Sequence, residues 1–204
     1  MTSARTFTDK VALITGAGSG IGRAMALAFA ERGARIVVND AQETGRQVAD
    51  ELGGTFLKAD LSDMDETREL CLRATQLEGG VDILVNNAGF QHIAPVEDFP
   101  EEVWSKLIQV LLVAPFQTTK QLLPVMKERG WGRIINISSI HGLVASPYKS
   151  AYVAAKHGLI GLTKTVAVED GTYGVTVNAI CPGYTRTPLV EVQIGDQART
   201  LGIA

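Results

Sequence analysis

The chain predicts an α/β fold, a doubly wound parallel sheet in a single domain, and three observations carry that reading. Short apolar runs alternate with longer helical runs along the whole chain. The short runs are apolar at almost every position, as strands covered on both faces must be. The first of them leads into a glycine-rich turn that opens a helix.

The elements follow in order. Val11 to Thr15 is the first strand, Gly16-Ala-Gly-Ser-Gly20-Ile-Gly22 the turn, and Met25 to Ala30 the apolar-periodic part of the first helix. Arg35 to Asp40 is a strand, Thr44 to Leu52 a polar helix and Thr55 to Lys58 a short strand. A helix from about Asp63 to Leu77 precedes the strand Val81 to Val85. A long helix from Glu101 to Arg129 precedes the strand Arg133 to Ile137, and another from Ser150 to Tyr173 precedes the strand Val175 to Ile180. This is a Rossmann-type arrangement, in which ligands bind beyond the carboxyl ends of the strands. Gly16, Asp40, Asp60, Asn86, Ser139 and Pro182 all fall at those ends.

Composition narrows the function classes. The chain has 204 residues, 46% of them hydrophobic, and a net charge of −3, which suits one domain with a full core. Lys and Arg are dispersed and no apolar run approaches the roughly 18 residues of a spanning helix, so neither nucleic acid nor membrane is an expected partner. The polar N-terminus lacks an apolar signal core, which points to a cytoplasmic location. Cys71 and Cys181 make no disulfide framework. His92, His141 and His157 show no ligand spacing, and no metal site is expected.

Two constellations carry chemistry. In the glycine turn, Gly16, Ser19, Gly20, Ile21 and Gly22 bring backbone N–H groups to a helix N-terminus, where a pyrophosphate can bind. Asp40 ends the next strand eighteen residues after Gly22. Its carboxylate can accept both ribose hydroxyls and would repel a 2′-phosphate, so NAD is expected over NADP. The second constellation is Tyr152 and Lys156, with Ser139 upstream. Residues four apart share a helix face, so the ammonium can sit beside the phenol and favour its anion. Bringing a phenol from ~10 to ~7 needs about 4 kcal/mol of preferential stabilisation.

Taken together, Thr15-Gly-x-x-x-Gly-x-Gly22, Asp60-Leu61, Asn86-Asn-Ala-Gly89, Ser139, Tyr152-x-x-x-Lys156 and Pro182-Gly183 resemble the short-chain dehydrogenase/reductase family over essentially the whole chain. The resemblance implies that Asp60 and the Leu61 backbone meet the adenine. It puts Asn87, Ala88 and Gly89 along the adenosine side, Pro182, Gly183 and Thr187 at the nicotinamide, and Lys156 on its ribose. A narrower resemblance, through Gly89 to His92, Glu97 to Pro100, His141 to Ser146, Lys149 to Tyr152 and Arg186 to Gln193, is to D-3-hydroxybutyrate dehydrogenases. That subgroup's carboxylate-binding positions are Gln91, His141, Lys149 and Gln193 here. It implies NAD-dependent oxidation of a small hydroxy acid with Tyr152 as base and Ser139 holding the reacting oxygen. A small carboxylate does need a cation and several donors to replace its water. An NADPH-dependent 3-oxoacyl-carrier reductase shares Ser, Tyr and Lys, but Asp40 and the Lys149/His141 pair argue against it. A non-catalytic NAD-binding protein is the third reading, and the intact Ser139, Tyr152 and Lys156 count against that.

The chain departs from the family pattern twice. Leu111 stands where the family places a catalytic asparagine that supports a water relay to the lysine. Pro115 lacks an N–H and lies four residues on, so the Leu111 carbonyl loses its helical donor. A kink there, with the relay running through the Leu111 backbone oxygen, is expected. The second departure is the ending: residues 1–204 read as one domain without the family's lid helices and last strand, leaving an exposed apolar edge on the sixth strand. The two long helices are the surfaces through which family members pair, so a homotetramer or dimer is implied.

Overall fold

The computed structural model describes residues 6–77, 79–187, 190, 191 and 194. Among them the sheet has six parallel strands in the order β3-β2-β1-β4-β5-β6. They are β1 (Val11–Thr15), β2 (Arg35–Asp40), β3 (Thr55–Lys58), β4 (Ile83–Asn86), β5 (Gly132–Ile137) and β6 (Val175–Ile180). The order reverses between β1 and β4, and a crevice opens beyond the strand ends at such a reversal.

Side-chain alternation along β1 assigns the two cores. Val11 and Leu13 pack with Leu70, Leu122 and Val166, against helices α3 (Met64–Thr75), α5 (Ala114–Glu128) and α6 (Ser150–Asp170). Ala12 and Ile14 pack with Ala26, Val48 and Ala49, against α1 (Gly20–Glu31) and α2 (Thr44–Leu52). A third cluster joins Leu107 of α4 (Glu101–Ile108), Leu111, Ala151 and Ala155 behind the carboxyl ends of β4 and β5. No helix among the described residues is long and apolar enough to cross a membrane.

Local chemistry explains where elements stop. Asp63 caps α3, its carboxylate accepting from the N–H groups of Asp65 and Glu66 at 2.7 and 3.0 Å. β4 starts at Ile83, later than Val81, because Asp82 is spent at the strand entry, where its carboxylate accepts the Val11 N–H at 2.9 Å. The expected single helix from Glu101 to Arg129 is in fact three pieces, with a π turn over Gln109–Val113 between α4 and α5. Pro115 has no N–H to give the carbonyl four residues back, and just before it the ladder widens, Ala114 donating to the Gln109 carbonyl. The kink expected around Leu111 is therefore present. The outer face of β6 differs from expectation: Val177 is buried while Thr176 and Asn178 face solvent, so polar side chains occupy much of that surface.

Candidate active site

A cavity of about 610 Å³ runs along the carboxyl ends of the strands. Its walls bring together Gly16, Ser19, Gly20, Ile21, Asp40, Asp60, Leu61, Asn87, Ala88, Gly89, Pro182, Gly183 and Thr187 on one side, and Gln91, Leu111, Ser139, His141, Lys149, Tyr152 and Lys156 on the other. One described residue among those the sequence predicts is not in the wall. Gly22 lies behind it, and Gln193 falls outside the described residues.

The glycine turn is built by close approach. Gly16 has φ +63°, and a Cβ there would stand 2.7 Å from the Ala88 Cα. At Gly22 a Cβ would meet the Gly16 carbonyl oxygen at 2.4 Å and Asn87 Nδ2 at 2.5 Å, so Gly22 lets α1 press onto the turn. Thr15 locks the two central loops, its hydroxyl accepting from the N–H groups of Asn87 and Ala88 at 2.9 and 3.0 Å. Ser19 at the start of α1 makes no side-chain cap, which leaves the first N–H groups of α1 without that partner at the cavity wall. Asp40 accepts from the Gly18 and Gln42 N–H groups, each at 2.9 Å, and a carboxylate so used still has acceptor sites to spare. Asp60 accepts from the Ser62 N–H at 2.9 Å and faces Lys106 at 3.7 Å. Burial works against its charge, but the Ser62 hydrogen bonds and Lys106 hold its carboxyl below the usual range. These glycines, open N–H groups and two carboxylates fit a dinucleotide.

The opposite wall is lined by cations. Ser139 follows β5, is 7% exposed, and accepts the His141 N–H at 3.1 Å. Lys156 lies one turn after Tyr152 on α6, is buried, and donates to the Ile137 carbonyl at 2.6 Å. Its Nζ lies 5.6 Å from the centre of the Tyr152 ring. Burial pushes the Lys156 ammonium down to about 8, with Cys181 acting the other way. Burial also pushes the Tyr152 phenol up, and the hydrogen bond with Ser139 pulls it back only in part. The expected lowering by Lys156 is thus not what this site alone produces, because the lysine is spent on a carbonyl and is itself desolvated.

Lys149 is the most unusual side chain here. It is 2% exposed, forms no hydrogen bond or ion pair among the described residues, and occupies the N-cap of α6, where an oxygen-bearing side chain is the usual choice. His141 stands nearby with Nδ1 buried and without a hydrogen bond; burial, then the Lys149 charge, lower its pKa, and the Val144 backbone acts the other way. Gln91 is partly occupied, its Oε1 accepting the next residue's N–H at 3.0 Å. Leu111 is 1% exposed in the π turn, packed so closely on Gly89 that a Cβ there would come within 2.7 Å of it.

Tyr184 and Lys106 are among the wall residues that escaped sequence reasoning. Tyr184 places its ring edge-on to His141, centroids 6.4 Å apart, with Lys149 Nζ 5.7 Å from its centre. Its position directly after Pro182-Gly183 was the available signal. Lys106 reaches the wall from α4, and nothing in a solvated helix lysine announces that. Asn86 is structural: Nδ2 donates to Asn136 at 2.9 Å, and Thr118 donates to Oδ1 at 2.7 Å.

The chain has relatives among known proteins. The family model described as short chain dehydrogenase matches residues 10–197. D-beta-hydroxybutyrate dehydrogenase of Rhizobium meliloti is 55% identical over 202 residues, covering 95% of this chain and 78% of the relative. The protein of the same name from Cupriavidus necator is 50% identical over 200 residues, with the same coverage of 95% and 78%. A crystal structure from Beutenbergia cavernae, named for an NAD(P)-dependent gluconate 5-dehydrogenase and holding NADP at low occupancy, superposes with a TM-score of 0.88 at 34% identity. It covers 97% of this chain and 81% of that one.

Proposed function

The chain belongs to the short chain dehydrogenase family of oxidoreductases, and from that premise we propose that it oxidises D-3-hydroxybutyrate to acetoacetate with NAD. The observation that carries the substrate class is Lys149. A lysine side chain that is 2% exposed and has no counter-charge among the described residues is costly unless a ligand pairs it, and it stands three residues before Tyr152, beside His141, whose Nδ1 is buried without a hydrogen bond. A small hydroxy acid satisfies both, its carboxylate on Lys149 with Gln91, His141 and Gln193, and its hydroxyl between Ser139 and Tyr152.

In this reading Gly16, Ser19, Gly20, Ile21 and Gly22 form the pyrophosphate turn. Asp40 takes the adenosine ribose, Asp60 and Leu61 the adenine, and Asn87, Ala88 and Gly89 the adenosine side. Pro182, Gly183 and Thr187 hold the nicotinamide amide. NAD, when bound, accepts the hydride from the carbinol carbon and brings a cationic ring to the site. Tyr152 must be a phenolate to act, and burial in the protein alone works against that form while the Ser139 hydrogen bond works for it. Tyr152 then removes the hydroxyl proton and Ser139 steadies the oxygen as its charge develops. Lys156 grips the nicotinamide ribose and returns the proton toward solvent, with the Leu111 backbone oxygen in the π turn anchoring the relay.

NAD is favoured over NADP because Asp40 would face a 2′-phosphate. A 3-oxoacyl-carrier reductase fits less well, since it would leave Lys149 unpaired. A dimer or tetramer through α5 and α6, whose outer faces expose Phe116 and Val168, and a cytoplasmic location belong to the same proposal. The test is the initial rate of NAD reduction at 340 nm with the D and L enantiomers, repeated with NADP. A D-selective, NAD-dependent rate is expected. Equal rates with the two enantiomers, or a preference for NADP, would overturn the substrate or cofactor reading respectively.

A further inference from the structure

Tyr148 has φ +64°, and Asp9 is the one other non-glycine at positive φ among the described residues. Aspartate tolerates the left-handed region, whereas a bulky side chain there is a true outlier that its surroundings must enforce. Here the enforcement is visible. The Tyr148 carbonyl accepts the Ala94 N–H at 3.0 Å, and Ala94 belongs to the buried cluster that also holds Ala151, three residues on. The chain is therefore pinned on both sides of Lys149. Tyr148 itself points outward at 36% exposure, and Lys149, the next residue, is 2% exposed in the cavity wall. An extended or right-handed residue 148 would redirect the chain between these pins, and a long cationic side chain with no hydrogen bond or ion pair among the described residues would turn to water.

We propose that Tyr148 is a positioning residue: its left-handed backbone, held by the Ala94 hydrogen bond, turns Lys149 out of solvent and into the substrate cavity. The role rests on the carboxylate-binding reading of Lys149 for its meaning in catalysis, but the geometry it asserts does not. Asn and Gly accept the left-handed region and β-branched residues resist it, so Tyr148→Asn and Tyr148→Gly keep the turn while Tyr148→Val opposes it. All three remove the phenol, which separates the backbone from the side chain.

The first readout needs no substrate: acylation of Lys149 by a small amine-reactive reagent in the folded protein, followed by mass spectrometry, with exposed Lys164 as internal standard. Lys149 is expected to react about tenfold or more slower than Lys164 in wild type, Tyr148→Asn and Tyr148→Gly, and to approach it in Tyr148→Val. If the valine variant does not fold, Tyr148→Ala gives the same sign with a smaller rise. The second readout is steady-state kinetics, where Tyr148→Val should raise KM for D-3-hydroxybutyrate about tenfold with NAD binding unchanged, and Tyr148→Asn should restore it. Protection of Lys149 that is the same in the Val and Asn variants would overturn the proposal, as would loss of protection in both. Labelling that follows backbone compatibility in a protein that turns over no hydroxy acid would sustain the positioning role and sink the functional reading instead.

Discussion

The two halves of the cavity are built on opposite principles. On the β1–β3 side most polar groups satisfy one another: Asp40 takes two backbone N–H groups, Thr15 ties two loops, and Asn39 donates to the Leu57 and Ala59 carbonyls, with its Oδ1 alone left unpartnered among these groups. On the β4–β6 side Lys156 has one carbonyl for a partner and Lys149 has no hydrogen bond or ion pair among the described residues, only the Tyr184 ring, while His141 Nδ1 and Ser150 Oγ are buried without a hydrogen bond. The first half is a cradle whose side chains are mostly paired and whose backbone shape and open N–H groups suit a ligand. The second is an unfinished network whose cost a ligand can offset. Stability and function should therefore separate by side.

The largest expected separation is at Tyr152. Tyr152→Phe should lower kcat by about 10²–10⁴-fold, the usual worth of a general base, while NAD binding, which rests mainly on the other half, persists. Near-normal turnover would remove Tyr152 from the chemistry.

Next is the pH dependence of Lys156. Its folded pKa of about 8 lies below the ordinary 10.5, so between those values the unfolded chain binds a proton that the folded chain does not. Stability from this group rises with pH across that window, and the penalty is present in full below about 8. Relative to Lys156→Met, wild type should gain on the order of 3 kcal/mol between neutral pH and pH ~11 in denaturant titrations. A flat difference would mean that the lysine is not desolvated.

The smallest lies in the cradle. Gly22→Ala puts a methyl 2.4 Å from the Gly16 oxygen and should cost about 1–3 kcal/mol of stability by thermal or urea unfolding, with weaker NAD binding. A neutral result would show that the turn can yield.

The two halves also differed in how legible they were. β2, α2, β3 and β6 fall at the bounds expected from periodicity and turn residues, because uninterrupted apolar runs between glycines and polar caps leave few alternatives. Asp40 and the glycines could be located at the cavity because a strand end and a turn fix their backbone positions. The break at Leu111 was readable from Pro115, since a missing N–H is a local fact. The state of Tyr152 was not readable. Helical spacing put Lys156 beside it, but spacing says nothing of the Ile137 carbonyl that takes the ammonium or of the burial that raises the phenol. Tyr184 and the left-handed Tyr148 were hidden for the same reason, being products of tertiary packing.

The most direct measurement is on Lys149→Met, an apolar replacement of similar length. It should lower kcat/KM for D-3-hydroxybutyrate by about thirtyfold or more, leave the rate with a neutral secondary alcohol of the same carbon count nearly unchanged, and raise the thermal midpoint as a buried unpaired charge is removed. Equal losses on the acid and the neutral alcohol, or no loss on either, would contradict a cavity finished by the substrate's carboxylate.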